Sequence, residues 1–86
     1  MNNDIIEILS KVVHERWAHW QKYLHSVYKR NEDGSLTIPK EKVERWERQI
    51  KTEYKDLSEK EKDSDREQAY EYLKALELFF KEKEDE

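Results

Sequence analysis

Apolar residues recur along the first third of the chain at steps of three and four: Ile5, Ile6, Leu9, Val12, Val13, Trp17, Trp20, Leu24, then Val27 and Tyr28. Side chains three and four positions apart share one face of an α-helix, so this spacing describes a single amphipathic helix. It predicts a helix near residues 3–29, with Asn2 or Asn3 as N-cap. The helix must end before Asn31-Glu32-Asp33-Gly34, where the one glycine of the chain follows an aspartate in a turn signature. Ser35-Leu36-Thr37-Ile38 alternates polar and apolar and reads as a short extended piece. No partner strand is evident, so no sheet is expected.

Pro39 suits the first turn of a second helix because its fixed φ is already helical. Val43, Trp46, Ile50 and Tyr54 mark one face of it, over residues 40–54. A third helix near 59–80 is announced by Ser58 followed three residues later by Glu61. This is a capping box, in which each side chain serves the other's free backbone N–H. Its inner face reads Ala69, Tyr72, Leu73, Leu76, Phe79 and Phe80. Residues 81–86 carry no apolar side chain and are expected to fray or be disordered. The expected fold is mainly all-α: a small three-helix domain over residues 1–80, with one irregular central loop and a charged tail at 81–86. Its expected core is Leu9, Val13, Trp17, Val43, Trp46, Ile50, Leu73 and Leu76.

Composition changes this picture in two ways. Charged residues make up 44% of the 86, a density that by itself favours disorder, and the apolar periodicity overrides it. Burial must come from few, large side chains, because a domain this small has little core and ten of its residues are aromatic. Ten rings on three short helices exceed what one small core covers, so a homodimer or higher homo-oligomer is expected. There is no cysteine, no basic-then-apolar leader and no apolar run long enough to span a bilayer. A cytoplasmic protein with no membrane association is expected, complete or as an excised domain.

Charge is uneven. Residues 11–52 carry ten cations against six carboxylates, and residues 53–86 carry seven against thirteen. The net charge of −4 argues against duplex nucleic acid, whose non-specific affinity comes from neutralised phosphates. It leaves room for one small anion in a local basic pocket.

Candidate chemistry is of the binding kind. Trp17 and Trp20 lie one turn apart and Trp46 lies on another helix, an arrangement suited to a core or to stacking a base, with Tyr23 or Tyr54 beside them. His14, His19 and His25 do not pair at three or four residues, so no helical two-histidine metal site is encoded and no metal is expected. Lys62 and Arg66 lie four apart on one helix face, where they either grip a phosphate or pair with neighbouring carboxylates such as Asp65, Glu59 and Glu61. There is no nucleophile elbow, no glycine-rich phosphate loop and no His-Glu-x-x-His, so neither enzyme activity nor a cofactor is expected.

Two stretches together resemble a known family. Tyr54-x-x-Leu57-Ser58-Glu59-x-Glu61-Lys62-x-x-Asp65-Arg66-x-x-Ala69, read with His14-Glu15-Arg16-Trp17, is similar to the ryanodine-receptor-repeat (RyR) domain, which has small free-standing versions in bacteria, archaea and phages. The likeness covers about two thirds of the chain. Where the family carries a Gly-Trp-x-Tyr-Gly-like turn and a His-Pro, this chain has Asn31 to Pro39 and an added helical pattern.

The resemblance implies a non-enzymatic pocket for a nucleotide-like molecule, between the first helix and the start of the third. Carried onto this sequence, its lining is His14, Trp17, Trp20, Tyr54, Lys62, Asp65 and Arg66. It also implies a role in phage–bacterium conflict, with a stand-alone copy sequestering a nucleotide immune signal in the host cytoplasm as a counter-defence protein. The alternative is an acidic helical module that binds or inhibits a host or partner protein through its third helix.

Overall fold

A computed structural model describes residues 2–84, with side chains described from Asp4 onward. Among these residues the chain forms α1 (Asn2–Val27), a two-stranded ribbon of β1 (Lys29–Arg30) and β2 (Leu36–Thr37), α2 (Lys40–Lys51), a single 3₁₀ turn at Tyr54–Asp56, and α3 (Glu59–Glu84). The mainly α, three-helix character is as the periodicity predicts.

The two 26-residue helices α1 and α3 pack side by side as the stem of the molecule. They run antiparallel: Asp4 and Ile8 share a shallow hollow with Phe79 and Glu82, while Arg16 reaches Glu67. On α1, Ile5, Ile8, Leu9 and Val12 are half-buried, and Ile8 shares that hollow with Phe79. The short α2 lies across the far end of the stem. There Trp46 meets the rings of Trp20 at 5.8 Å and Tyr28 at 6.0 Å, both edge-to-face.

Several boundaries differ from expectation, each for a local reason. α1 already includes Asn2 and Asn3, so neither is its cap, and the residue before them lies outside the described residues. Pro39 is the N-cap of α2 rather than its first helical residue: its backbone is extended, and its carbonyl accepts from Lys42 and Val43. α2 stops at Lys51 because Thr52 turns to an extended backbone and donates its hydroxyl to the Arg48 carbonyl at 2.7 Å. Tyr54 therefore sits on the 3₁₀ turn, not on α2. Residues 81–84 continue α3, whereas residues 85–86 lie outside the described residues.

A sheet does form, contrary to expectation. β1 pairs antiparallel with β2, Lys29 opposite Thr37 and Arg30 opposite Leu36. Hydrogen bonds among polar side chains close the turn rather than apolar alternation. Asp33 Oδ1 accepts from the Ser35 N–H and hydroxyl, and Thr37 Oγ1 donates to Asn31 Oδ1. Gly34 sits at φ +89°, a left-handed conformation that other residues adopt only with strain.

The largest correction concerns the core. Tyr28 and Phe79 are the buried apolar residues among those described, and the eight-residue core expected from spacing is not assembled. Val13 is 51% exposed, Trp17 58% and Ile50 82%. Leu73 and Val43 are exposed too, while Leu9, Trp46 and Leu76 are half-buried. The reason lies in the layout. Two long helices and a short third enclose no interior: the radius of gyration is 17.3 Å, against roughly 12 Å for a compact chain of this length.

Candidate ligand cleft at the α2 end

Where α1 and α3 part to admit α2, they leave an open cleft of about 600 Å³. Its apolar wall is aromatic: Trp17, Trp20, Tyr23 and Tyr28 come from α1 and the residue after it, and Trp46 comes from α2. Trp20 stacks on Tyr23 at 5.4 Å with 21° between planes, so four rings, Tyr23, Trp20, Trp46 and Tyr28, touch in succession. Burial raises the Tyr28 hydroxyl pKa above its ordinary value, with Tyr23 adding to the effect and Arg45 opposing it.

Four cations border the same cleft: Arg16 from α1, Lys42 and Arg45 from α2, and Lys60 from α3. Lys42, Arg45 and Lys60 form no ion pair among the described residues. Arg16 has a long 3.6 Å contact to Glu67, but its Nε is buried with no acceptor among the described residues. An unsatisfied buried donor of this kind costs roughly 1–3 kcal/mol. The acidic residue in the lining, Glu61, is already committed.

Glu61 ties the cleft floor to the helix start. Its Oε1 accepts from the Ser58 N–H at 3.0 Å and hydroxyl at 2.9 Å, and the Ser58 hydroxyl accepts in turn from the Glu61 N–H. The capping box is formed as the sequence predicts. Its other oxygen, Oε2, takes Arg48 Nη2 at 3.0 Å, which fastens α2 onto α3. The Ser58 hydrogen bonds, ahead of Arg48, hold the Glu61 carboxyl below its ordinary pKa.

The seven residues expected to line a pocket divide into two groups. Trp17 and Trp20 line the cleft, and His14 stacks on Trp17 at 6.0 Å just outside it. Tyr54, Lys62, Asp65 and Arg66 are not part of the lining. Lys62 Nζ lies 5.7 Å from the Tyr54 ring centre and 3.7 Å from Glu59. Arg66 Nη1 donates to Asp63 at 2.8 Å and to Glu59 at 3.0 Å. These bonds raise its pKa further above the ordinary guanidinium value. The expected convergence of Trp20, Lys62 and Arg66 therefore does not occur, because carboxylates one and two turns away on the same helix occupy both cations first.

Sequence reasoning passed over Arg16, Lys42, Arg45 and Lys60. Arg16 stands inside the His14-Glu15-Arg16-Trp17 motif, and the net +4 of residues 11–52 was the remaining signal. Among the described residues no cluster of three or more potential ligands is placed to hold a metal ion, and no helix is long and apolar enough to cross a membrane. No family model, curated protein or solved structure matches the chain.

Proposed function

We propose that this chain is a non-enzymatic binding module for a small anionic molecule with an aromatic ring, a nucleotide in chemical class, held in the cleft between α1, α2 and α3. One observation carries the reading. In a chain of net charge −4, four cations and five aromatic rings meet at one concavity, and three of those cations have no carboxylate partner among the described residues. A base stacks on indole or phenol faces, each contact contributing roughly 1–3 kcal/mol. A phosphate is met by the Arg45 fork and by the Lys42 and Lys60 ammonium groups. The RyR resemblance points to the same ligand class. In the phage setting it implies, the module sequesters a nucleotide immune signal as a counter-defence protein.

The site differs from the one the resemblance alone implies, since the phosphate-binding role passes from Lys62 and Arg66 to the α2 cations. Calorimetry against mono-, di- and cyclic nucleotides tests the reading, with Arg45→Ala and Arg66→Ala as paired variants. Binding weakened about tenfold in the first and unchanged in the second supports this cleft. Loss in the second alone returns the site to the start of α3. A full panel that produces no heat with the wild type moves the function to the protein-binding alternative, which the long exposed apolar faces of α1 and α3 favour.

A further inference from the structure

Arg16 is the cleft cation whose hydrogen-bonding capacity goes unused despite its burial. Its side chain is 19% exposed, yet its guanidinium makes no hydrogen bond among the described residues. Nε is buried without an acceptor, and Nη2 stands 3.6 Å from Glu67 Oε1. That is an ion-pair distance, longer than the roughly 2.7–3.2 Å of an N–H···O hydrogen bond. Nε and Nη2 share one edge of the guanidinium plane, and such an edge grips both oxygens of a carboxylate or phosphate at once. Here the edge is presented and not filled. A buried donor without a partner calls for an acceptor.

The surroundings supply a place for one. Trp20 lies four residues on, one turn along the same side of α1, and lines the cleft with Arg16. On α3, Ser64 and Gln68 stand three residues before and one after Glu67. Both line the cleft, and neither side chain makes a hydrogen bond among the described residues. Glu67 itself is not part of the lining and is 66% exposed. Its carboxylate is largely hydrated, so its pair with Arg16 is weak and exchanges readily.

We infer that the Arg16 fork anchors the anion in this cleft, and that Glu67 is its built-in competitor, displaced when a phosphate takes the Nε–Nη2 edge. The inference rests on the ligand reading of the cleft and adds to it an anchoring residue and a brake on affinity. An anion at the fork sits beside the ring wall, with Ser64 and Gln68 free to donate from α3. Glu67 opposes it twice, by holding the guanidinium and by repelling a like charge.

Calorimetry of the full chain against mono-, di- and cyclic nucleotides tests this with three variants. Glu67→Gln is expected to bind the nucleotide about fivefold more tightly than the wild type, because the competitor loses its charge. Glu77→Gln removes the same charge ten residues further along α3. That is roughly 15 Å away, beyond the ~8–10 Å reach of a screened charge, so wild-type affinity is expected. Arg16→Lys keeps the charge and loses the fork, and is expected to weaken binding about tenfold. Glu67→Gln changes an exposed side chain and decides the matter even where Arg16→Lys fails to fold. A wild type that binds, with Glu67→Gln no tighter than Glu77→Gln, overturns the inference and leaves the cleft reading standing. A folded Arg16→Lys that binds as the wild type does has the same consequence. No heat from either wild type or Glu67→Gln across the panel overturns both.

Discussion

The two ends of this molecule solve the same problem differently. At the α2 end, polar groups with short-range partners define the structure: the Ser58–Glu61 box, the Arg48–Glu61 bond across helices and the Asn31–Thr37 hairpin network. Against that frame, Trp46 is held by two rings. Along the stem, the helices are as regular, yet about half of the large apolar residues face outward. Hydrogen-bonded devices close on themselves within one chain, because donor and acceptor saturate each other. Apolar surface keeps its unfavourable exposure until something covers it, at roughly 25 cal/mol per Å². The stem thus leaves apolar surface uncovered, and the α2 end holds a cleft walled by rings and cations.

Variants that act on one end only test this contrast. The largest effect is expected from Trp46→Ala, which removes a half-buried ring touching Trp20 and Tyr28. It should cost about 3 kcal/mol in urea unfolding, at any protein concentration. Trp17→Ala should cost less, under about 1.5 kcal/mol, because that ring is 58% exposed and little of it is buried on folding. Equal losses in the two variants would erase the distinction between a ring held by other rings and one left in solvent.

Next comes Glu61→Gln, which leaves part of the capping box but discharges the Arg48 pair. About 1.5 kcal/mol should be lost near neutral pH. The wild-type carboxyl has its pKa lowered in the folded state, so its contribution is complete above the ordinary value of 4.5 and disappears as pH falls through the folded-state pKa. Chemical unfolding in acid should therefore bring wild type and Glu61→Gln together, and a gap that persists there would assign the effect to something other than this charge.

Arg45→Ala should weaken nucleotide binding about tenfold, or about 1.4 kcal/mol by calorimetry, while leaving the urea midpoint unchanged. The smallest effect is expected from Gly34→Ala, at about 1 kcal/mol. A Cβ there meets no atom within 4 Å, so the whole cost is the left-handed backbone. A neutral Gly34→Ala would mean that the turn relaxes freely and that the hairpin network is not rigid.

What the sequence determined by itself is local. Ser58 and Glu61 are three residues apart, so their reciprocal bonds follow from helix geometry alone. The same holds for Gly34 in its turn and for the apolar stripes that define α1, α2 and α3. The binding of Arg66 to Asp63 and Glu59 is also local; pairing with neighbouring carboxylates is one of two readings of that face, with Glu59 among the partners it names and Asp63 not. The ribbon was missed because its closure runs through Asn31, Asp33 and Thr37 rather than through an apolar alternation. Only the tertiary structure decided that Arg16, Lys42, Arg45 and Lys60 share one cleft, since they come from three helices and no spacing rule relates them. It also decided which apolar stripe faces inward. Periodicity counts a helix's apolar positions, but how many of them one chain can cover depends on how its helices enclose space, and two long helices with one short one enclose very little.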